Sequence, residues 1–175
     1  MPGAIHVTMS TEPVAEAAPD PRALREAFAR FPSGVAAICS LVGGTPVGMV
    51  VTSFTVGVSF EPPLVLFSVQ NGSRTWPLLR GADYVGVSVL AADQAALASQ
   101  LASRSSDRFE DVSLLACERD DALLIEGASL WLECLVRSET AAGDHTIVLL
   151  EVRALRMRDP EPMVYHGMQF RQLAD

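Results

Sequence analysis

The side chains able to do chemistry in this 175-residue chain fall in four places. Thr52, Ser53 and Thr55 interrupt an otherwise apolar run. Asn71, Ser73, Arg74 and Thr75 form a polar cluster, and Arg104, Arg108 and Phe109 lie in a polar stretch with Asp107 and Glu110. Histidines stand at positions 6, 145 and 166. No G-x-S-x-G elbow is present to expose a nucleophile on a sharp turn. No carboxylate or thiolate stands at ligand spacing from His145 or His166, so no metal site is expected. Walker and dinucleotide-fold glycine motifs are absent as well. That leaves a ligand held by backbone groups, hydroxyls and a few arginines. All 13 basic residues are arginine, so a phosphate would be held by guanidinium, hydroxyl or backbone N–H groups. The 71–75 cluster opens a helix, and a helix N-terminus with hydroxyls and an Arg is a ready anion site. The same residues also suit a plain N-cap with a solvated Arg. Arg104 and Arg108 suit a surface salt-bridge loop with Asp107 and Glu110.

These groups need strands and short helices to position them. The run GMVVTSFTVGVSFEPPLVLFSV, Gly48 to Val69, is rich in β-branched residues and broken by Glu61-Pro62-Pro63. It reads as two successive antiparallel strands, Val47 to Val58 and Leu64 to Val69, joined by a corner. A hydroxyl-studded, glycine-bearing strand suits close approach of backbone to a flat ligand, and equally an ordinary buried strand with satisfied hydroxyls. Asp20-Pro21 starts a helix whose stripe is Leu24, Ala27, Phe28 and Phe31, ended by Pro32-Ser33-Gly34. Val35 to Val42, Tyr84 to Leu90, Ser129 to Thr140 and His145 to Met157 read as strands. The last two form a hairpin over Ala141-Ala142-Gly143-Asp144. Asn71 to Arg80 reads as a turn into a short helix capped by Ser73 or Asn71. Asp93 to Ala102 reads as a helix capped by Asp93. Val164-Tyr165 and Phe170 to Leu173 read as short closing strands. Six or more antiparallel strands plugged by two or three helices give a mainly β, closed or partly closed barrel.

The Gly48–Val69 run resembles the flavin-reductase-like family, the FMN-binding split barrels that serve as reductase components of two-component flavin-dependent monooxygenases. Further similar motifs follow in the family's order: RFPSGV (Arg30 to Val35), SRT (Ser73 to Thr75), VSVLAADQ (Val87 to Gln94), DRF (Asp107 to Phe109), LECLV (Leu132 to Val136), AGDHTI (Ala142 to Ile147) and VYHGMQFRQL (Val164 to Leu173). The resemblance implies an antiparallel Greek-key split β-barrel with a few short helices, acting as a homodimer. It implies hydride transfer from NADH or NADPH to FMN, with FAD possible. Reduced flavin would then serve a partner monooxygenase or halogenase. A non-catalytic flavin-binding or flavin-delivery protein is the alternative. By the same resemblance Met49, Val50, Val51, Thr52, Ser53 and Phe54 would line the flavin ring, with Ser68 nearby. Asn71, Ser73, Arg74 and Thr75 would take its phosphate, and Arg104, Arg108 and Phe109 would reach the phosphate or ribityl side. His145 would stand where the nicotinamide arrives, and His166 would lie in the terminal cofactor-binding motif. An isoalloxazine ring suits this residue set: strand backbone for its pyrimidine edge, apolar wall for its benzenoid edge. The chain departs from the family's H-R-G-x-Y at Gly167 and Phe170, and Val50 stands where the family tends to have Thr.

Composition sets the frame. The length fits one domain, and residues 1–20 read as a disordered arm ahead of a domain at 21–175. The arm has no basic start followed by an apolar stretch, so no secretory signal is expected and cytoplasm is the default. A hydrophobic content of 49% with mean hydropathy +0.27 is high for this size, yet no segment is long and apolar enough to span a membrane. The surplus apolar surface points to an oligomer interface. A net charge of −8 argues against nucleic acid and anionic membranes as partners. Cys39, Cys117 and Cys134 lack metal spacing, and Cys39 and Cys134 read as small core hydrophobes. Trp76 reads as a helix anchor or a ring platform, and Trp131 as packing at the barrel surface or at a subunit interface.

Overall fold

The fold is taken from a computed structural model in which residues 20–103, 107–117 and 121–173 are described. His6 and Arg104, with nearly all of the expected N-terminal arm, lie outside the described residues. The chain runs through α1 (Pro21–Phe28), β1 (Ser33–Gly34), β2 (Ala36–Val42), β3 (Thr45–Val51), β4 (Thr55–Phe60) and β5 (Pro63–Gln70). It continues through α2 (Trp76–Leu79), β6 (Val85–Val89), α3 (Ala95–Ala102), β7 (Leu114–Ala116) and β8 (Leu123–Ile125). It closes with β9 (Leu130–Ala142), β10 (His145–Met157), β11 (Val164–His166) and β12 (Gln169–Arg171). Among the described residues, no helix is long and apolar enough to cross a membrane.

Seven antiparallel strands pair in the order β3-β2-β6-β9-β10-β5-β4, a Greek-key split barrel. The β9–β10 hairpin is its longest pair, bent by register shifts at Leu149/Leu150 and Val152/Ala154. A three-stranded sheet, β1-β11-β12, and the β7–β8 hairpin lie outside it.

β2 shows why the sheet holds. Its residues alternate as in any strand, but both of its faces are buried. Ala36 and Ile38 face the barrel interior with Val65, Phe67, Val85, Val87, Leu132, Val148 and Leu150. Val35, Ala37 and Cys39 face a second core with Leu90, Ala98, Leu101, Leu123, Ile125 and Met163. So β2 reads as a continuous apolar run. Trp76 and Leu79 of α2 join the barrel core, with the Trp76 ring edge-on to Phe67 at 5.2 Å. Trp76 is therefore a core anchor and offers no ring face to a ligand.

The expected strand from Val47 to Val58 is two strands. β3 ends at Val51, and β4 starts at Thr55 on the opposite end of the sheet order. Thr52-Ser53-Phe54 carries the chain across the barrel's open seam. β4 pairs with β5 only from Pro63 to Leu66, leaving the later half of β5 without a partner on that side. Ser53 Oγ serves there in a strand's place: it donates to Ser68 O at 2.9 Å and accepts from Ser68 N at 3.0 Å.

One of the three expected helix caps differs. α1 is capped as the sequence indicates, with the Asp20 carboxylate accepting from Arg22 N. α3 instead begins after Gln94, whose side chain accepts from Ala91 N and donates to Glu126 O; Asp93 does not cap it. At α2, Ser73 Oγ accepts from Trp76 N at 3.2 Å, so Ser73 is the capping hydroxyl.

Candidate active site

The seam opens into a cavity of about 490 Å3, within the usual range for a small-molecule site. One wall is the end of β3 and the crossing segment, Met49 to Ser53. β3 pairs only with β2, so the backbone groups on its other edge carry no ladder bonds. Ser68, Val69 and Gln70 of β5 form a second wall, and the turn Gly72 to Thr75 a third. Leu101 and Ala102 at the end of α3, Arg108 and His145 complete it.

Arg108 organises the polar end. Its Nε donates to Ser103 O at 2.7 Å, and its Nη1 donates to Gly48 O at 3.0 Å and to Thr75 Oγ1 at 2.9 Å. One half-buried guanidinium thus joins β3, the 72–75 turn and the end of α3. The ion pairs among the described residues include neither Arg108 nor Arg74. Among the described residues Arg108 forms no ion pair with Asp107 or Glu110; Asp107 Oδ1 accepts instead from Phe109 N, and Arg104 lies outside the described residues. Two cations without carboxylate partners stand at one end of a cavity in a chain of net charge −8. An end so charged suits an anion.

Gly48 admits this arrangement. A Cβ there would lie 2.6 Å from Cys39 Sγ and 2.8 Å from Phe109 Cζ. The Phe109 ring packs over the bare glycine, in the second core, and carries Arg108 with it.

His145 stands at the start of β10, paired across to Gln70. Its Nδ1 hydrogen-bonds Asp144 Oδ1 at 2.7 Å. That hydrogen bond, with the imidazole's charge, holds the Asp144 carboxyl below the usual carboxylate range. The ring is thereby tethered through Nδ1.

Of the residues singled out from sequence, Met49, Val50, Val51, Thr52, Ser53, Ser68, Ser73, Arg74, Thr75, Arg108 and His145 line this one cavity. Phe54 packs against the barrel core, and Phe109 against the second core. Asn71 lies just beyond the cavity wall, bonded to the β9–β10 turn. His166 faces a separate hollow with Glu26, Arg30 and Gly167. Val69, Gln70, Gly72, Leu101 and Ala102 were not singled out. The first three adjoin residues that were; the last two come from a helix end with no polar signal of its own.

The cysteines take no part. Burial pushes Cys39 and Cys134 up to about 12, and burial followed by the charge of Glu133 pushes Cys117 up to about 11. Thiols so raised are not nucleophiles at neutral pH. Among the described residues, no cluster of His, Cys, Asp and Glu could hold a metal ion.

Comparison with known proteins bears on this cavity. The family model described as flavin reductase like domain matches residues 28–174. The structure is similar to the NADH:FAD oxidoreductase SgcE6 of Streptomyces globisporus, with TM-score 0.83, 36% identity, and coverage of 94% of this chain and 100% of that one. The same oxidoreductase has been solved in complex with NAD and FAD fragments. The sequence is 31% identical over 158 residues to the flavin-dependent monooxygenase reductase subunit HsaB of Rhodococcus jostii, covering 90% of this chain and 80% of the relative. It is 36% identical over 158 residues to the actinorhodin polyketide dimerase of Streptomyces coelicolor, covering 89% and 88%.

Proposed function

This chain belongs to the flavin reductase like domain family, and we propose that it is an NAD(P)H:flavin oxidoreductase that supplies reduced flavin to a separate monooxygenase or halogenase. The observation that carries the reading is the cavity's polarity along its length. An unpaired strand edge at Met49–Ser53 leads to a capped turn holding Arg74, Thr75 and Arg108. A flat ring with a phosphate tail matches that layout, as FMN or as FAD. Backbone N–H and C=O groups of Val50 to Ser53 would hold the ring's polar edge, and Met49, Val51 and Leu101 its apolar faces. Ser73, Arg74, Thr75 and Arg108 would hold the phosphate.

A flavin held there by Met49–Ser53 and the 73–75 turn would supply the redox chemistry, as hydride acceptor from a nicotinamide. The chain's own residues align the two rings, exclude water and place hydrogen-bond donors where negative charge accumulates. No proton need be moved by a side chain during that step, which agrees with a cavity whose described lining has one histidine and no carboxylate. His145, tethered by Asp144, would face the nicotinamide.

We place the protein as a homodimer. The α1 stripe stays unburied, with Phe28 and Phe31 72% and 75% exposed, and Phe60 at the end of β4 is 89% exposed. Phe28 and Phe31 line a hollow with Thr52 and Ser53, so a second copy seated there would cover apolar surface beside the cavity. Three free thiols and a nicotinamide donor fit action in the cytoplasm.

The test is NADH and NADPH oxidation by purified protein with FMN, FAD or no flavin. Oxidation dependent on added flavin is the expected result, and the relative rates name the preferred flavin. Flavin binding without oxidation of either nucleotide would leave a flavin-binding or delivery protein instead.

A further inference from the structure

Asn71 sits one residue past β5, between the cavity's strand wall and its anion turn, yet does not line the cavity. Its bonds run the other way. Its Nδ2 donates to Gly143 O at 3.2 Å, its Oδ1 accepts from Thr146 Oγ1 at 2.9 Å, and its backbone N–H donates to Asp144 O at 3.0 Å. The three bonds enclose a four-residue stretch with His145 inside it. Gly143 has φ +64°, a left-handed turn residue whose carbonyl would otherwise point to solvent. Asp144, which tethers the His145 ring, is itself exposed and held through its backbone by Asn71.

We infer that Asn71 is a positioning residue for His145: it ties the β9–β10 turn to the anion turn and so fixes where the imidazole stands over the cavity. The inference rests on the reductase reading for its consequence but not for its geometry. A side chain confined to the family-like phosphate cluster by sequence adjacency is thereby assigned to the nicotinamide side. Its loss should harm use of NADH and spare binding of flavin. Thr146, also outside the cavity, should share the effect to a smaller degree, since its hydroxyl supplies one of the three bonds.

The experiment compares Asn71→Ala, Thr146→Val, His145→Ala and the Asn71→Ala/His145→Ala double variant. Two readouts are taken: backbone hydrogen exchange over residues 143–146, and kcat/KM for NADH beside the flavin Kd. Expected is faster exchange across 143–146 in Asn71→Ala. Expected too is a fall in kcat/KM for NADH of about three- to tenfold, the scale of one or two lost hydrogen bonds, with flavin Kd within about twofold of the parent. The double variant should be no worse than His145→Ala alone, since a positioning residue has nothing left to position. Unchanged exchange would overturn the anchor. A raised flavin Kd at unchanged NADH kinetics would return Asn71 to the flavin phosphate and overturn the inference. Multiplying effects in the double variant would show action independent of His145 and overturn it too. Absence of NADH oxidation in the parent protein would sink the reductase reading and the positioning role with it; the exchange readout would then decide the anchor alone.

Discussion

Replacing Arg108 by Ala should abolish most of the protein's preference for FMN over riboflavin. A guanidinium carries five N–H donors. Three are committed to Ser103 O, Gly48 O and Thr75 Oγ1, which leaves the two on Nη2 for a ligand at the cavity's polar end. A charge-assisted hydrogen bond contributes about 1.5–3 kcal/mol, and every 1.4 kcal/mol is a factor of ten, so losing it costs about 10- to 100-fold in affinity for the phosphorylated flavin. The same substitution also removes the brace between β3 and the 72–75 turn, which weakens binding of any flavin. Riboflavin has the ring and ribityl chain without the phosphate, so the ratio of its Kd to that of FMN isolates the phosphate contribution. Flavin fluorescence quenching gives both constants. The ratio should fall toward one in Arg108→Ala and take an intermediate value in Arg108→Lys, which keeps the charge but loses the planar fork. Equal weakening of both flavins, with the ratio unchanged, would refute the phosphate role and leave Arg108 as a brace alone.

Gly48→Ala should overpack the contact with Cys39 and Phe109 and cost about 1–3 kcal/mol, lowering the melting temperature by several degrees by calorimetry; Cys39→Ala in that background should recover part of the loss. Met168→Gly should raise the melting temperature by about 2–4 °C, because Met168 holds φ +63° in the β11–β12 turn and glycine relieves about 1 kcal/mol there. Cys117, raised to about 11, should alkylate with iodoacetamide at pH 8 at about a thousandth of its full thiolate rate, climbing tenfold per pH unit. Because all three thiols titrate higher in the fold than their ordinary 9.0, their contribution to stability is complete below pH 9 and is lost as pH rises toward 11–12; flat stability across that range by denaturant titration would contradict their burial.

Much of this was legible in the chain because local chemistry agreed with the fold. Asp20-Pro21 announced a helix start, and the Pro62-Pro63 corner separated two strands that do pair. The cavity's β3 wall, its anion turn and His145 all came from contiguous motifs. What stayed hidden depended on the third dimension. The apolar run through Val58 reads as one strand, since nothing in its alternation shows that Thr52–Phe54 leaves one sheet edge for the other. Its hydroxyls were the signal, and Ser53 proves to spend its oxygen on Ser68 across the seam. The β7–β8 hairpin escaped notice because its strands are three residues each. Its fit relies on Gly86, where a Cβ would lie 2.1 Å from Leu123 O, a contact no sequence window contains. Asn71 looked like part of the anion cluster by adjacency, whereas its partners lie some seventy residues away.

The most direct test of the account is anaerobic mixing of the protein with FMN or FAD and a stoichiometric amount of NADH, followed by the visible absorbance of oxidised flavin. The account predicts bleaching far faster than in the protein-free mixture, with the reduced flavin recovered in the filtrate after the protein is removed. Bleaching no faster than without protein would contradict it.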